Sequence, residues 1–261
     1  MNRRETKKIT VNGVVQAVGF RPFVYRIAVD NSLDGWVKNL GDAGVEIVVA
    51  GKPDNIGNFL SNLEHSLPPL AEIEDLQVNP GPKDVPEKFS IRQSSSGGQG
   101  SGTVPPDVAT CEKCLEDVFG DTRYRGYWAT SCVNCGPRFS VIRKLPYDRP
   151  NTSMNEFPMC SSCHNEYTDP NDRRYHAQTI ACPNCGPSIW YEKGGKVVEE
   201  GTDSIRHASE MIEEEKILAI KGVGGCHIAC RADRRELVDR LREGLGRPQQ
   251  PFAVMAPEER V

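Results

Sequence analysis

Hydrophobic positions in the first 92 residues switch between a period of two and a period of three to four. Lys8-Ile-Thr-Val-Asn-Gly-Val-Val15 is rich in β-branched residues and reads as a strand. Phe20, Phe23, Val24, Ile27 and Ala28 then fall on one helix face, with Pro22 in the first turn, where its missing N–H is tolerated. Residues 35–40 and 45–50 predict two strands joined by Gly41-Asp42-Ala43-Gly44, a hairpin loop by composition. Ile56, Phe59, Leu60 and Leu63 mark a second amphipathic helix, and residues 73–78 and 89–92 offer a last strand or two. The order β-α-β-β-α-β is the split βαβ arrangement, so an α+β, ferredoxin-like domain is expected over residues 1–92.

The pattern then changes twice. Ser94-Ser-Ser-Gly-Gly-Gln-Gly-Ser-Gly102 has the composition of a flexible tether, placing a linker at 93–103. Residues 104–191 hold few apolar runs. After Gly194-Gly195 a third segment, 195–261, shows helix signals from Asp203 to Glu215, a strand from Ile217 to Lys221, Gly222-Val-Gly-Gly225, and a helix near Arg234–Arg242. Roughly 70 residues with one clear strand do not close the core of an α/β domain, so this segment reads as the front of something longer.

The middle region carries the strongest chemical signal. Cys111 and Cys114 are followed by Cys132 and Cys135, and Cys160 and Cys163 by Cys182 and Cys185. A C-x₂-C turn places two sulfurs on one metal, and two such turns complete a tetrahedron, so one Zn²⁺ per quartet, two per chain, is expected. The quartets are copies of each other: Cys132-Val-Asn-Cys135-Gly136-Pro137 returns as Cys182-Pro-Asn-Cys185-Gly186-Pro187. Disulfides fit less well, because they belong to secreted chains and Met1-Asn-Arg-Arg-Glu-Thr-Lys-Lys has no apolar signal core. Redox-active C-x₂-C pairs work singly. With so little apolar sequence, metal ligation must supply much of this region's folding energy.

Charge narrows the partners. The chain carries a formal −4, and residues 104–191 hold 9 Lys/Arg against 10 Asp/Glu. A module that neutralises phosphates shows a basic excess, so nucleic acid is disfavoured. No apolar run reaches a membrane span, and the expected compartment is the cytoplasm.

Between the first strand and the first helix, Gln16, Ala17, Val18, Gly19, Phe20 and Arg21 offer free backbone N–H groups, a helix N-terminus and an always-charged fork, a natural cradle for phosphate. Asn39, near the end of a neighbouring strand, is placed to orient a water. No His, Cys or paired carboxylate accompanies them, which leaves electrostatic positioning rather than covalent chemistry. The same pattern also occurs in ordinary strand-to-helix connections.

Val11-x-Gly13-x-Val15-Gln16-x-Val18-Gly19-Phe20-Arg21 with Gly35-Trp36-Val37-Lys38-Asn39 resembles the acylphosphatase signature. That resemblance implies that the loop amides and Arg21 bind an acyl phosphate while Asn39 positions the attacking water. The signature has Gly where this chain has Ala17, which weakens the cradle if the position needs positive φ. Followed by two Cys₄ modules, the whole resembles the amino-terminal part of the hydrogenase maturation carbamoyltransferase family, HypF type. Supporting strings are Tyr147-Asp148-Arg149-Pro150, Asp172-Arg173-Arg174-Tyr175-His176-Ala177-Gln178 and Ile220-Lys221-Gly222.

Several expectations follow from that resemblance. Carbamoyl phosphate is hydrolysed at the first domain, and a YrdC-like α/β domain, only begun here, uses ATP to adenylate carbamate. A partner protein of HypE type, with a C-terminal cysteine, receives the carbamoyl group. Lys221 and Arg247 are the candidate nucleotide contacts. Gly244, Leu245 and Gln250 stand where the family has basic residues, so this polypeptide alone is expected to bind ATP poorly and to be incompetent for adenylation and transfer. The alternative is a catalytically diverged zinc-binding module that docks a maturation partner.

The remaining candidates read as structural. Cys226 and Cys230, near His227, could bind a metal but lack a second pair, and are expected to be buried or half-buried thiols after a strand. His164 is a spare beside a complete quartet. His176 reads as a surface contact or as a partner of a thiolate, and His65 and His207 as solvated.

Overall fold

The computed structural model describes residues 4–94 and 106–256; most of the expected tether lies outside them. The chain forms two compact units, Met1–Pro187 and Ser188–Val261.

The first unit begins with β1 (Glu5–Val14), α1 (Phe20–Asp30), β2 (Asp34–Asn39), β3 (Val45–Gly51), α2 (Pro53–His65), β4 (Glu72–Pro80) and β5 (Phe89–Ile91). The sheet order is β4-β1-β3-β2-β5, the ferredoxin-like order with β5 added parallel to β2. The periodicities explain the assembly. Ile9, Val11, Val37, Ile47 and Val49 face Phe20, Val24, Ile27, Phe59 and Leu63 of the two helices in one core. Because β3 lies antiparallel between β1 and β2, those two strands run in the same direction. Val11 and Asn39 both pair with Val45, so Asn39 and the loop after β1 lie at the same end of the sheet. The expected hairpin loop 41–44 is a 3-10 turn, Gly41–Ala43, closed by Gly44 at φ +83°.

The cysteine-rich region belongs to the same unit. It contains two helices that the sequence pattern does not signal, α3 (Glu112–Phe119) and α4 (Ser161–Thr168), each beginning directly after the first cysteine of a quartet. Tyr124, Tyr127, Met154, Ala177 and Ile180 form a small core between the two copies.

The second unit holds two hairpins and two helices: β6 (Trp190–Lys193) with β7 (Lys196–Glu200), α5 (Thr202–Glu213), β8 (Leu218–Lys221) with β9 (Cys226–Ala229), and α6 (Arg235–Leu245). Gly194 and Gly195, both at positive φ, form a hairpin turn. Of its apolar side chains, only Leu237 and Leu241 are buried among the described residues.

Two expectations are corrected here. Cys226 is exposed in β9, because Gly222–Gly225 is a turn that returns the chain as a second strand; Cys230 is half-buried. His207 is not simply solvated: the β6–β7 hairpin stacks Tyr191 on it at 4.3 Å, with Glu199 3.9 Å away. His65 is exposed and, among the described residues, its ring bonds only the Ser61 carbonyl of its own helix.

Candidate active site and metal centres

Each quartet gathers four sulfurs within 4.8 Å of one another. In the first, Cys111–Cys132 is 3.8 Å, Cys132–Cys135 3.7 Å and Cys114–Cys135 3.5 Å between Sγ atoms. In the second, Cys160–Cys182 and Cys182–Cys185 are 3.8 Å and Cys163–Cys185 3.5 Å. A tetrahedron with Zn–S bonds near 2.3 Å has edges of about 3.8 Å, so the donor set fits Zn²⁺. The separations are far beyond a disulfide bond, and all ten cysteines are free. His164 is exposed and takes no part.

The duplicated strings reach across to the opposite copy. Arg173 donates to Cys114 Sγ at 2.9 Å and to Asp117, while Arg123 donates to Cys163 Sγ at 3.3 and 3.5 Å and to Glu166 at 2.7 Å. Each copy therefore supplies the arginine that neutralises the other copy's thiolates. Burial opposes ionisation of Asp117 and Glu166, yet their arginine partners hold both carboxyls below the usual range.

The loop after β1 has the shape the sequence implies. Gly19 caps α1 in the left-handed region at φ +74°, and Ala17 also lies there at φ +60°. Ala17 thus occupies the glycine-type position in a strained conformation. The N–H groups of Gln16 to Arg21 donate to no acceptor among the described residues. Val18 is fully buried and anchors the loop in the core, while Gln16, Ala17, Gly19, Phe20 and Arg21 line a cavity of about 30 Å³. Gln16 donates to the Gly41 carbonyl, tying the loop to the turn that follows Asn39. Asn39 is 1 % exposed and its Oδ1 has no partner among the described residues. It does not itself line the cavity.

The other wall of this cavity belongs to the cysteine-rich region. Arg21 Nη2 meets Asp148 Oδ1 at 2.6 Å and the Tyr147 carbonyl at 3.4 Å, and Nη1 meets Ser94 at 3.3 Å. Arg138, 2 % exposed, donates to the Ala17 carbonyl at 2.9 Å as well as to the carbonyls of Val133, Cys135 and Gly136 in the first metal knuckle. Its buried charge has no carboxylate partner among the described residues. The negative Zn-thiolate cluster would supply the counter-charge. Arg149 occupies a similar place near the second quartet, bonding the carbonyls of Phe157, Gln178 and Ile180.

His176 also lines the cavity, packed edge-on against Tyr175. Burial, aided by the charge of Arg21, lowers its pKa to about 4, so the ring is neutral near pH 7. The reading of His176 as a surface contact or thiolate partner is corrected: it faces the loop across the cavity. Sequence reasoning also missed Asp148, Arg138 and His176 as neighbours of Arg21, because more than 110 residues separate them from it. The strings that contain Asp148 and His176 were the available signal.

In the second unit, Lys221 and Arg247 are both exposed, and their side chains make no hydrogen bond or ion pair with other described residues. Arg242 instead holds the carbonyls of Arg247 and Gln250 and lies over Phe252.

A loop of free N–H groups on a ferredoxin-like sheet, roofed by paired Cys₄ modules, defines a class in which an acylphosphatase fold and cysteine knuckles share one body. Comparisons agree. Residues 7–91 match the acylphosphatase family, 110–142 and 159–192 the HypF finger, and 210–260 the telomere recombination family of Sua5, YciO and YrdC type. The carbamoyltransferase HypF of Rhodobacter capsulatus is 48 % identical over 254 residues, 97 % of this chain and 33 % of that protein. An acylphosphatase of Oceanobacillus iheyensis is 35 % identical over 86 residues, 33 % of this chain and 94 % of that protein. A full-length HypF crystallised in a phosphate- and nucleotide-bound form superimposes with a TM-score of 0.86 at 38 % identity, covering 97 % of this chain and 33 % of that one. The chain belongs to the HypF carbamoyltransferase family, with an acylphosphatase domain at its start, and spans about a third of the length of the HypF relatives it matches.

Proposed function

We propose that the first unit hydrolyses carbamoyl phosphate. The phosphoryl group sits in the loop Gln16–Arg21, where free N–H groups, the N-terminus of α1 and the Arg21 guanidinium carry its charge. Asn39 Oδ1, buried and unpartnered, accepts a hydrogen bond from the attacking water. Water adds to phosphorus and the P–O bond to the carbamoyl carboxylate breaks. Phosphate and carbamate leave, with release of one proton. The observation that carries this reading is the run of unpaired loop N–H groups beside Arg21.

Each quartet holds one Zn²⁺, two per chain, with Cys111, Cys114, Cys132 and Cys135 on one and Cys160, Cys163, Cys182 and Cys185 on the other. Zinc here is structural: four thiolates leave no open position for substrate. In the longer family proteins the carbamate passes to an ATP-dependent site, which Lys221 and Arg247 begin, and then to a partner of HypE type with a C-terminal cysteine. The proposed compartment is the cytoplasm; no helix among the described residues is long and apolar enough to cross a membrane.

Phosphate release from carbamoyl phosphate by the zinc-loaded chain tests the reading. Arg21→Ala is expected to slow release about 100-fold or more, the scale of losing a preorganised oxyanion donor. Equal rates for wild type and variant would overturn it.

A further inference from the structure

The cavity over the loop has two chemically different walls. One is the phosphate cradle. The other comes from the zinc region and includes the His176 ring, Arg138 and Gln178, with Asp148 on Arg21 at the edge. Resting on the reading above, we infer that His176, which lines this cavity, together with Asp148, held on Arg21 at its edge, recognises the amide end of carbamoyl phosphate and selects it over acyl phosphates with an alkyl group.

Four observations carry this inference. Asp148 sits on Arg21, so whatever phosphate Arg21 holds lies beside that carboxylate; its Oδ1 is used by Arg21, and its Oδ2 has no hydrogen-bond partner among the described residues. His176 lines the same cavity, and neither ring nitrogen has a partner among the described residues. The cavity is small, about 30 Å³, and Arg21 and His176 both line it, so a group held on Arg21 lies close to the imidazole.

The fourth observation comes from the duplication. His176 has φ +56°, and at the repeat offset of 50 residues its counterpart is Gly126, φ +70°. The N–H of Gly126 bonds Val118, and that of His176 bonds Tyr167 in the equivalent place. A left-handed position filled by glycine in one copy carries a histidine in the other, and only the histidine copy faces the loop. Backbone strain kept at such a place marks a side chain with a use.

The chemistry matches the substrate. A carbamoyl group ends in NH₂, which has two N–H donors, and an acetyl group ends in CH₃, which has none. A neutral imidazole nitrogen and the free Asp148 oxygen accept those two hydrogens. Burial keeps the ring in that neutral form. Acetyl phosphate would leave both acceptors facing a methyl group, unpaired and stripped of water. Arg21 neutralises Asp148 meanwhile, so the carboxylate does not repel the phosphoryl group outright.

Two stable phosphonates isolate this effect from catalysis. Phosphonoacetamide and acetonylphosphonate differ only in NH₂ against CH₃. Calorimetric titration of the zinc-loaded chain should show a preference of about tenfold or more for phosphonoacetamide, the modest end of what unpaired acceptors confer. His176→Gly, benign for the backbone because glycine fills the sister position, and Asp148→Ala should each reduce that ratio to about twofold or less. Retention of the wild-type ratio in both variants overturns the inference, as does a wild-type chain that binds the two phosphonates equally or binds neither. Failure of the catalytic reading is distinguishable: an amide preference with no hydrolysis leaves the wall standing and removes the chemistry.

Discussion

Ala17 carries a backbone cost that its place in the loop imposes. The sequence marks it as a departure from the acylphosphatase signature, and the structure gives the cost: φ +60° in a residue with a Cβ. Ala17→Gly is expected to raise stability by up to about 1 kcal/mol, since left-handed geometry costs an L-residue 1–2 kcal/mol and glycine loses part of that gain to unfolded-state entropy. Urea denaturation of the zinc-loaded chain measures it; a variant less stable than wild type would show that the loop is not strained at this point. Arg21 and the loop were readable because a strand, a tight turn and a helix start place them in sequence order. Asp148 and His176 were not, because their roles depend on where a separate set of metal knuckles comes to rest.

At the scale of elements, the sheet and helices of the first 92 residues follow from alternation and helical faces, and the metal ligands follow from spacing. α3 and α4 escaped notice because each is eight residues long and polar, with the knuckle rather than an apolar face fixing its position. In sequence the β6–β7 hairpin shows only as a boundary at Gly194-Gly195. The reciprocal arginines were hidden too, since no local pattern says that Arg173 serves the Cys114 quartet and Arg123 the Cys163 quartet. Their crossing has a consequence for metal affinity. Arg173→Ala should weaken zinc at the first quartet about tenfold or more while the second changes little, and Arg123→Ala should do the reverse, because hydrogen bonds to ligating sulfurs tune the metal site. Stepwise zinc release to a chromophoric chelator resolves the two sites; loss at the variant's own quartet instead would contradict the crossed arrangement.

At the scale of the whole molecule, the first unit is one body in which the Cys₄ clusters and the loop Gln16–Arg21 are mechanically joined. Arg138 links them most directly: it grips the carbonyls of the first knuckle and the Ala17 carbonyl with the same guanidinium. Such a buried cation is stable only while the thiolate cluster beside it keeps its charge and shape. Zinc loss should therefore reach the loop, whose cavity Cys132 of the first quartet also lines. In the second unit, Lys221 and Arg247 are exposed.

The measurement that bears most directly on this joint site is the rate of phosphate release from carbamoyl phosphate as zinc is withdrawn by a chelator, with sheet content followed in parallel by circular dichroism. The rate should fall in step with the zinc bound while the ferredoxin-like sheet persists, and return when zinc is restored. A rate that stays at the wild-type value after both zinc ions are gone would show that loop and knuckles work separately.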